Sequence, residues 1–259
     1  MNKIDLVFEK LRGEKRCGLM PFLVAGFPNF NSSLSLLKLL AQHSDFLEIG
    51  FPYSDPLADG PIIQKADQVA LRAGSTSDYV FKLISKLRET TKIPITVLVY
   101  ANLIYQRGVN KFYSDAKAAG IDGVLIPDIP FEEMDIFVKA AKKNNVANIY
   151  LLSSSTSEQR LVNILKVAEG YLYLTSIVGI TGVKKDIPQD TLDYIKKLKK
   201  KTKLPVAVGF GISNSTQVKK LKKAGANGVI MGSSLIQLIQ RSPKVNRSAI
   251  VGFLERFKI

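Results

Sequence analysis

One short stretch of the chain combines three acidic residues with two different local patterns. Glu48 lies between Leu47 and Ile49 in a short apolar segment, whereas Asp55 and Asp59 follow in a loop rich in Pro, Gly and Ser. A carboxylate is costly to bury in an apolar strand unless it has a use there. Neighbouring acids in unlike environments can have pKa values that are pushed apart, which is the basis of acid–base catalysis. The stretch therefore predicts proton chemistry.

The composition favours a globular protein with a sizeable core. The chain has 259 residues, of which 46% are hydrophobic and 23% charged, which suits one large α/β domain or two small ones. No apolar run approaches the ~20 residues that span a bilayer. The N-terminus has no signal pattern, and a single cysteine, Cys17, excludes an internal disulfide. We expect a cytoplasmic protein.

The net charge of +15 raises the hypothesis of nucleic-acid binding. Most of the lysines lie in segments such as 194–201 and 218–223, where apolar residues recur at helical spacing. The lysines then occupy the outer, solvated face of a helix. Because no basic motif interleaved with aromatic residues accompanies them, we favour a solvated surface over a nucleic-acid site.

Strand and helix patterns alternate along the whole chain. Pro94 and Pro205 mark entries into strands, and Gly120 and Gly225 mark the ends of helices. Eight apolar strands are predicted, near 19–25, 46–50, 95–100, 122–127, 147–152, 171–175, 205–209 and 227–231. Helices are predicted near 2–12, 31–43, 62–72, 77–90, 110–119, 131–144, 157–168, 190–201, 214–224, 233–240 and 246–257.

Eight βα units in about 250 residues fit an α/β fold of the (β/α)8 barrel type. An extra N-terminal helix precedes the first strand, and an additional short helix follows strand 8. The competing fold is a doubly wound sheet, which would carry a Gly-rich dinucleotide fingerprint after its first strand. The segment 26–29 (Gly-Phe-Pro-Asn) does not supply one. With no long linker, we expect a single domain over residues 1–259.

Two glycine-containing loops follow the last two strands. Gly211 begins the loop after the seventh strand, and Gly232 with Ser233 follows the eighth. Free backbone N–H groups at helix N-termini bind anions, and phosphate sites recur in these loops of barrels. Thr181 and Gly182, after the sixth strand, could add a third wall. The alternative is that the glycines only form tight turns; we favour a phosphate site.

Several other kinds of chemistry are disfavoured by residue type. His43 is the only histidine, and one His with one Cys makes a transition-metal site improbable. No predicted strand ends in the lysine that a Schiff-base aldolase needs. Carboxylates and tyrosines remain, and these serve acid–base chemistry without a metal or a covalent cofactor.

The motifs together resemble those of the tryptophan synthase α subunit. The segment 46–61 resembles the family signature, with Ser-Asp-Pro-Leu-Ala-Asp-Gly-Pro at 54–61 as its centre. Further similar motifs occur in family order over essentially the whole chain, at 100–102, 123–130, 173, 179–182, 208–212 and 231–233.

This resemblance implies a (β/α)8 barrel that cleaves indole-3-glycerol phosphate to indole and glyceraldehyde 3-phosphate by a retro-aldol reaction. It implies that Glu48 is the acid–base group for indole C3 and the neighbouring hydroxyl. Asp59 would bind the indole N–H and, as a loop residue, stay ionised. In the family, the position of Asp55 belongs to a loop that closes the site and communicates with the partner; the simpler interpretation of Asp55 is a turn residue before Pro56.

The resemblance also implies the substrate contacts. An apolar slot for the indole ring would be formed by Phe22, Leu98 and Phe210, with Tyr100 and Tyr173 lining the site. The phosphate contacts would be Gly182, Gly211, Gly232 and Ser233. Two departures affect the lid of the site: Ile177 stands where many members carry Arg, and the segment 181–188 is shorter than in some members.

The expected partner is a tryptophan synthase β subunit in an α2β2 heterotetramer, which would carry pyridoxal phosphate and receive the indole. No cofactor is expected in this chain. The alternative function is a catalytically impaired α subunit that only activates its β partner, although Glu48 and Asp59 are both retained. Another phosphate-binding barrel, such as indole-glycerol phosphate synthase, would need a strand-end lysine.

Overall fold

The chain forms a closed barrel of parallel strands. The computed structural model describes residues 2–175, 186–209, 211–241 and 246–259. Within these residues the strands follow one another around the barrel in chain order, and the eighth pairs with the first. The (β/α)8 prediction is confirmed, because every strand is parallel to both neighbours and helices connect them.

The barrel strands are short and buried. They agree with the predicted segments to within three residues at each end, and their bounds are β1 Gly18–Val24, β2 Leu47–Gly50, β3 Ile95–Leu98, β4 Gly123–Leu125, β5 Ala147–Ser153, β6 Leu172–Thr175, β7 Val206–Gly209 and β8 Gly228–Met231.

The helices cover the outside of the barrel. The predicted extra N-terminal helix and the helix after strand 8 are both present. The helix bounds are α1 Lys3–Gly13, α2 Phe30–His43, α3 Pro61–Arg72, α4 Ser77–Arg88, α5 Ala101–Arg107, α6 Val109–Ala119, α7 Asp135–Asn144, α8 Glu158–Val167, α9 Gln189–Lys201, α10 Ser215–Ala224, α11 Ser233–Gln240 and α12 Arg247–Glu255.

Two helical predictions are corrected. Helix α5 was not predicted, because its seven residues are too few to show a clear period; it starts where the Ala101 N–H donates to Asp128, and it ends at Gly108, whose φ is +84°. The predicted helix 131–144 is instead a 3-10 turn over Phe131–Glu133 followed by α7.

Local sequence signals account for several element ends. Gly120 and Gly225 end α6 and α10 in the left-handed conformation, with φ of +85° and +110°, as the sequence predicted. Asn2 and Asp5 form a capping box that starts α1. Ile4 of α1 is fully buried close to Gly123 of β4, so α1 closes the N-terminal end of the barrel.

The exterior carries the basic charge. Lysines of α9 and α10 are mostly exposed, as predicted for a solvated face, and Lys197 and Lys201 pair with Glu158 of α8.

His43 lies at the end of α2, where its Nδ1 is 3.2 Å from Glu255. Cys17 is buried as a free thiol. Among the described residues, no helix is long and apolar enough to cross a membrane.

Candidate active site

Glu48 lies within β2 with its side chain completely buried. Leu47 and Ile49 alternate with it and face the other side of the strand, as the period of two requires. Neither carboxyl oxygen of Glu48 has a hydrogen-bond partner in the part of the chain that the structure describes. Burial, and secondarily the charge of Asp59, raises the pKa of Glu48 to about 8. Glu48 is therefore a protonated carboxylic acid at neutral pH.

Asp59 lies in the loop after β2, but its carboxyl is enclosed. Its exposed fraction is 8%, and its Oδ2 accepts a 2.7 Å hydrogen bond from the Tyr100 hydroxyl. Burial raises the pKa of Asp59 to about 6, against the opposing effect of the Tyr100 hydrogen bond. Asp59 is therefore mostly ionised at neutral pH, although its carboxyl is buried.

Tyr100 joins the loop after β2 to the end of β3. Its hydroxyl donates to Asp59 and accepts from the Ala58 N–H at 3.2 Å. Its ring stacks on that of Tyr53 with 4.8 Å between the centroids. Burial and the Asp59 charge raise the pKa of Tyr100 far above its ordinary value, so its hydroxyl remains a donor. Tyr100 therefore fixes both the position and the charge state of Asp59.

The same loop is also fastened to α3. The side-chain amide of Gln64 donates to the carbonyl of Asp59 at 2.8 Å and to that of Pro56 at 3.4 Å. Asp55 and Leu57 point outward, and Leu57 is 83% exposed. The loop thus separates an inner face, which carries Asp59, from an outer rim.

Interior glycines make room for the aromatic side chains of the site. A Cβ on Gly50 would lie 2.7 Å from the ring of Phe22, and one on Gly209 would lie 2.3 Å from the Tyr173 hydroxyl. The Tyr173 hydroxyl is close enough to Glu48 that burial and the Glu48 charge raise its pKa well above the ordinary value. Phe22 and Tyr173 therefore lie on the same inner surface as Glu48.

The remaining predicted indole contacts are only partly described. Leu98 pairs with Gly50 in the β2–β3 register and is half-buried, so it lies at the same level of the barrel as the Phe22 ring. Phe210 lies outside the described residues. The structure thus brings together Phe22, Leu98, Tyr100 and Tyr173 around the two carboxylates.

The predicted phosphate loops after β7 and β8 are joined to each other. The Ser234 hydroxyl donates to the carbonyl of Ile212 at 2.9 Å. Gly211 has a φ of +65°, which glycine adopts without strain. A Cβ on Gly232 would lie 3.0 Å from the Phe22 ring, so this loop lies next to the aromatic pocket.

The two helices that follow these loops differ at their N-termini. Asn214 and Gln217 cap α10 with a capping box, whereas α11, which Gly232 and Ser233 begin, has no side-chain cap among the described residues. The backbone N–H groups of α11 are thus the ones that suit an anion. Thr181 and Gly182 lie outside the described residues, as does Ile177.

Two residues of the site were missed in the sequence. Asp67 is buried on α3 beneath the loop after β2, and Tyr53 stacks on Tyr100. The signal for Asp67 was an acid between Ala66 and Ala70 on the apolar face of α3, one helical turn from Gln64. Tyr53 gave no such signal, because its role depends on a neighbour 47 positions away in the chain.

Comparison with known proteins decides the family. The family model described as tryptophan synthase alpha chain matches residues 8–257. The chain belongs to the tryptophan synthase alpha chain family. It is 44% identical over 232 residues to the tryptophan synthase alpha chain of Methanothermobacter thermautotrophicus, covering 89% of this chain and 86% of that one. It is 39% identical over 258 residues to that of Thermoanaerobacter sp., covering 99% and 97%.

Solved structures of tryptophan synthase alpha chains have the same fold. The subunit alpha from Legionella pneumophila superposes with a TM-score of 0.90 at 33% identity, covering 99% of this chain and 97% of that one. The chain from the a2b2 complex of Pyrococcus furiosus gives a TM-score of 0.88 at 34% identity, covering 93% and 97%.

Membership of the tryptophan synthase alpha chain family assigns the reaction. The chain is a lyase of tryptophan biosynthesis that cleaves indole-3-glycerol phosphate to indole and glyceraldehyde 3-phosphate. Pyridoxal phosphate is the cofactor of the β subunit in this family. No observation favours the alternative of an impaired activator, and Glu48 and Asp59 lie close enough to influence each other.

Proposed function

We propose that Glu48 is the acid–base residue of the lyase reaction and that Asp59 binds the indole nitrogen. One observation carries the proposal: a fully buried carboxylic acid without a hydrogen-bond partner in the described residues lies next to a second, ionised carboxylate. Burying such an acid unsatisfied is unfavourable. A reaction that moves a proton at that position explains why it is there.

A single carboxyl group can perform both proton transfers of the cleavage. Protonated Glu48 donates its proton to C3 of the indole ring, which leaves the ring nitrogen positively charged. The Glu48 carboxylate then removes the proton from the side-chain hydroxyl next to C3. The C–C bond breaks as the aldehyde forms, and its electron pair returns to the ring and neutralises the nitrogen. Glu48 ends protonated, so the cycle is balanced.

Asp59 supplies the negative charge that the intermediate needs. The indole N–H donates to Asp59, and the positive charge that develops on the ring lies beside the carboxylate. In a buried site such a pair is worth more than in water. The Tyr100 hydroxyl keeps Asp59 oriented before the substrate arrives, so little reorganisation accompanies the charge separation.

The remaining pocket holds the two ends of the substrate. Phe22, Leu98 and Phe210 form the apolar slot for the indole ring, and Tyr173 lines it near Glu48. The phosphate binds at the N-terminus of α11 through Gly232 and Ser233, with Gly211, Gly182 and Thr181 completing the site. Support comes from the start of α11, which no side chain of the described residues caps, and from the closeness of Gly232 to Phe22.

The assembly is proposed from the relatives. The Pyrococcus furiosus protein is described as an a2b2 complex, and we propose that this chain assembles with a β subunit in the same way.

This chain holds no cofactor of its own, because acid–base chemistry accounts for the reaction. It is a single domain over residues 1–259, since the barrel closes between its first and last strands. We propose a cytoplasmic location, as expected for a biosynthetic enzyme of this family.

The test of the function is the release of indole from indole-3-glycerol phosphate by the purified chain, alone and with a β subunit. An active lyase releases indole in at least one of the two conditions. The β subunit alone, given the same substrate, is the control. No release above that control in either condition would leave the chain as an activator only.

A further inference from the structure

Asp67 is a buried acid that the proposed reaction does not use. It lies on α3 and is 3% exposed, and its Oδ2 has no hydrogen-bond partner in the described part of the chain. Gln64 is three residues earlier, on the same face of α3, and binds the carbonyl of Asp59. The face that carries Gln64 and Asp67 therefore supports the loop after β2 from below.

Asp67 lies close to both ends of this loop, near Tyr53 where the loop begins and near Asp59 where it ends. The backbone N–H of Tyr53 is close enough to the Asp67 carboxyl to favour its charged form, so Asp67 lies beneath the point where the loop leaves β2. The charge of Asp59 is close enough to act on Asp67, and the charge of Asp67 acts on Tyr100. Asp67 thus lies near both members of the hydrogen bond that fixes Asp59, one helical turn from the Gln64 side chain that binds the Asp59 carbonyl.

The surroundings of Asp67 favour the neutral acid. Strand β1 and helix α11, which pack on α3, contain no titratable side chain. On α3 itself, Lys65 and Arg72 are exposed on the other face. Burial, followed by the charge of Asp59, raises the pKa of Asp67 to about 8, against the opposing effect of the Tyr53 N–H.

We propose that Asp67 is a positioning residue for Asp59. As a neutral acid, Asp67 holds the loop after β2 in place and leaves Asp59 as the only charge beneath the indole nitrogen. This inference rests on the proposed role of Asp59. Ionisation of Asp67 would place two like charges in one buried site, which is unfavourable. The loop would then move away from α3 and displace Asp59.

The test measures ligand binding in a Glu48→Gln background, which removes the titration of Glu48. The probe is an indole-bearing alkyl phosphate without side-chain hydroxyls, which cannot be cleaved. Its dissociation constant is measured at pH 7, 8 and 9 by calorimetry, in Glu48→Gln and in Glu48→Gln with Asp67→Asn. Titration of the ligand phosphate affects both proteins equally and cancels in the comparison.

In Glu48→Gln the affinity is expected to fall by about tenfold between pH 7 and pH 9, because the ionisation of Asp67 opposes binding. With Asp67→Asn added, the fall disappears, whatever the absolute affinity. A purely structural residue would change the affinity by the same factor at every pH. Parallel pH curves in the two proteins would therefore overturn the proposal. If Asp67→Asn does not fold, Asp67→Ser takes its place with the same two outcomes.

Asp59→Asn in the Glu48→Gln background separates this proposal from the proposed function. If Asp59 binds the indole nitrogen, Asp59→Asn weakens binding at pH 7. Weak binding by Asp59→Asn together with parallel pH curves would reject Asp67 alone. Unchanged binding by Asp59→Asn would reject the role of Asp59, and with it the inference.

Discussion

At the scale of residues, the site depends on three carboxyl groups in different environments. Glu48 is enclosed by the barrel, Asp59 is held by Tyr100, and Asp67 lies beneath the loop after β2. Burial raises the pKa of each, to about 8, 6 and 8 respectively. At neutral pH only Asp59 is mostly ionised. Catalysis here requires a proton donor and a negative charge side by side, and this arrangement supplies both.

The buried acid at position 48 should cost stability, and the cost should depend on pH. The pKa of Glu48 is raised on folding, so the folded state binds more protons than the unfolded state and stability falls as pH rises from about 4 to 8. Glu48→Gln removes this dependence. Its gain in unfolding free energy over the unsubstituted protein should grow by about 2 to 3 kcal/mol between pH 5 and pH 7.

Urea unfolding of both proteins at pH 5, 6 and 7 measures this gain. Glu9→Gln on the exposed face of α1 is the matched control, and its difference from the unsubstituted protein should stay constant. A constant difference for Glu48→Gln as well would mean that Glu48 is ionised in the folded protein.

The sequence revealed the chemistry of single residues better than their surroundings. An acid between Leu47 and Ile49 in an apolar strand could be recognised directly, and family motifs supplied the roles of Glu48 and Asp59. The burial of Asp59 could not be predicted, since it depends on Tyr100, 41 positions later in the chain. Asp67 was missed for the same reason: its surroundings come from a loop folded back over its own helix.

At the scale of elements, glycines on the strands decide which side chains reach the site. Gly209 on β7 leaves room for Tyr173 on the adjacent β6. Gly209→Ala would place a methyl group 2.3 Å from the present position of the Tyr173 hydroxyl, so the ring must move. We expect kcat/KM for indole release to fall by roughly 10- to 100-fold with the fold retained.

Gly13→Ala at the end of α1 is the control for this substitution, because a Cβ there meets no atom within 4 Å. Steady-state kinetics and circular dichroism of both variants test the expectation. Full activity in Gly209→Ala would show that the position of Tyr173 does not matter.

The start of α11 provides a second prediction at this scale. Ser233→Asp puts a negative charge where the substrate phosphate is proposed to bind, and like charges repel. KM for indole-3-glycerol phosphate should rise by at least about tenfold. Ser248→Asp makes the same change at an exposed position in the first turn of α12, outside the proposed phosphate site, and should leave KM unchanged. Equal KM values in the two variants would remove α11 from the phosphate site.

The arrangement of elements was largely predictable from the sequence. Proline and glycine punctuation together with eight apolar segments was enough to predict a barrel and most helix positions. Helix α5 was not found, because seven residues show too little periodicity. The break at Met134 was also missed, since a 3-10 turn and a following helix share one apolar pattern.

At the scale of the whole molecule, the mouth of the barrel has an inner and an outer side. Asp59 faces inward, whereas Leu57, two residues earlier, is 83% exposed on the rim. The family resemblance implies that this loop communicates with the partner, and we infer that Leu57 is the apolar side chain that contacts it. This arrangement would let a bound β subunit act on the loop that carries Asp59.

Leu57→Ser should therefore weaken binding to the β subunit by about tenfold, because the complex would lose one leucine side chain that becomes buried at the interface. Indole release by the isolated chain should be unaffected. The control is Leu6→Ser on α1, at the opposite end of the barrel, where Leu6 is 49% exposed. Calorimetric titration with the β subunit compares the two; equal affinities would place the contact elsewhere.

The central claim is that Glu48 moves the proton in the cleavage, and Glu48→Gln tests it most directly. The glutamine keeps the size of the side chain but can neither give nor take a proton. With saturating indole-3-glycerol phosphate, we predict that kcat falls by about 10²- to 10⁴-fold. The uncleavable indole alkyl phosphate should still bind. Turnover within a few-fold of the unsubstituted protein, with binding intact, would contradict the account.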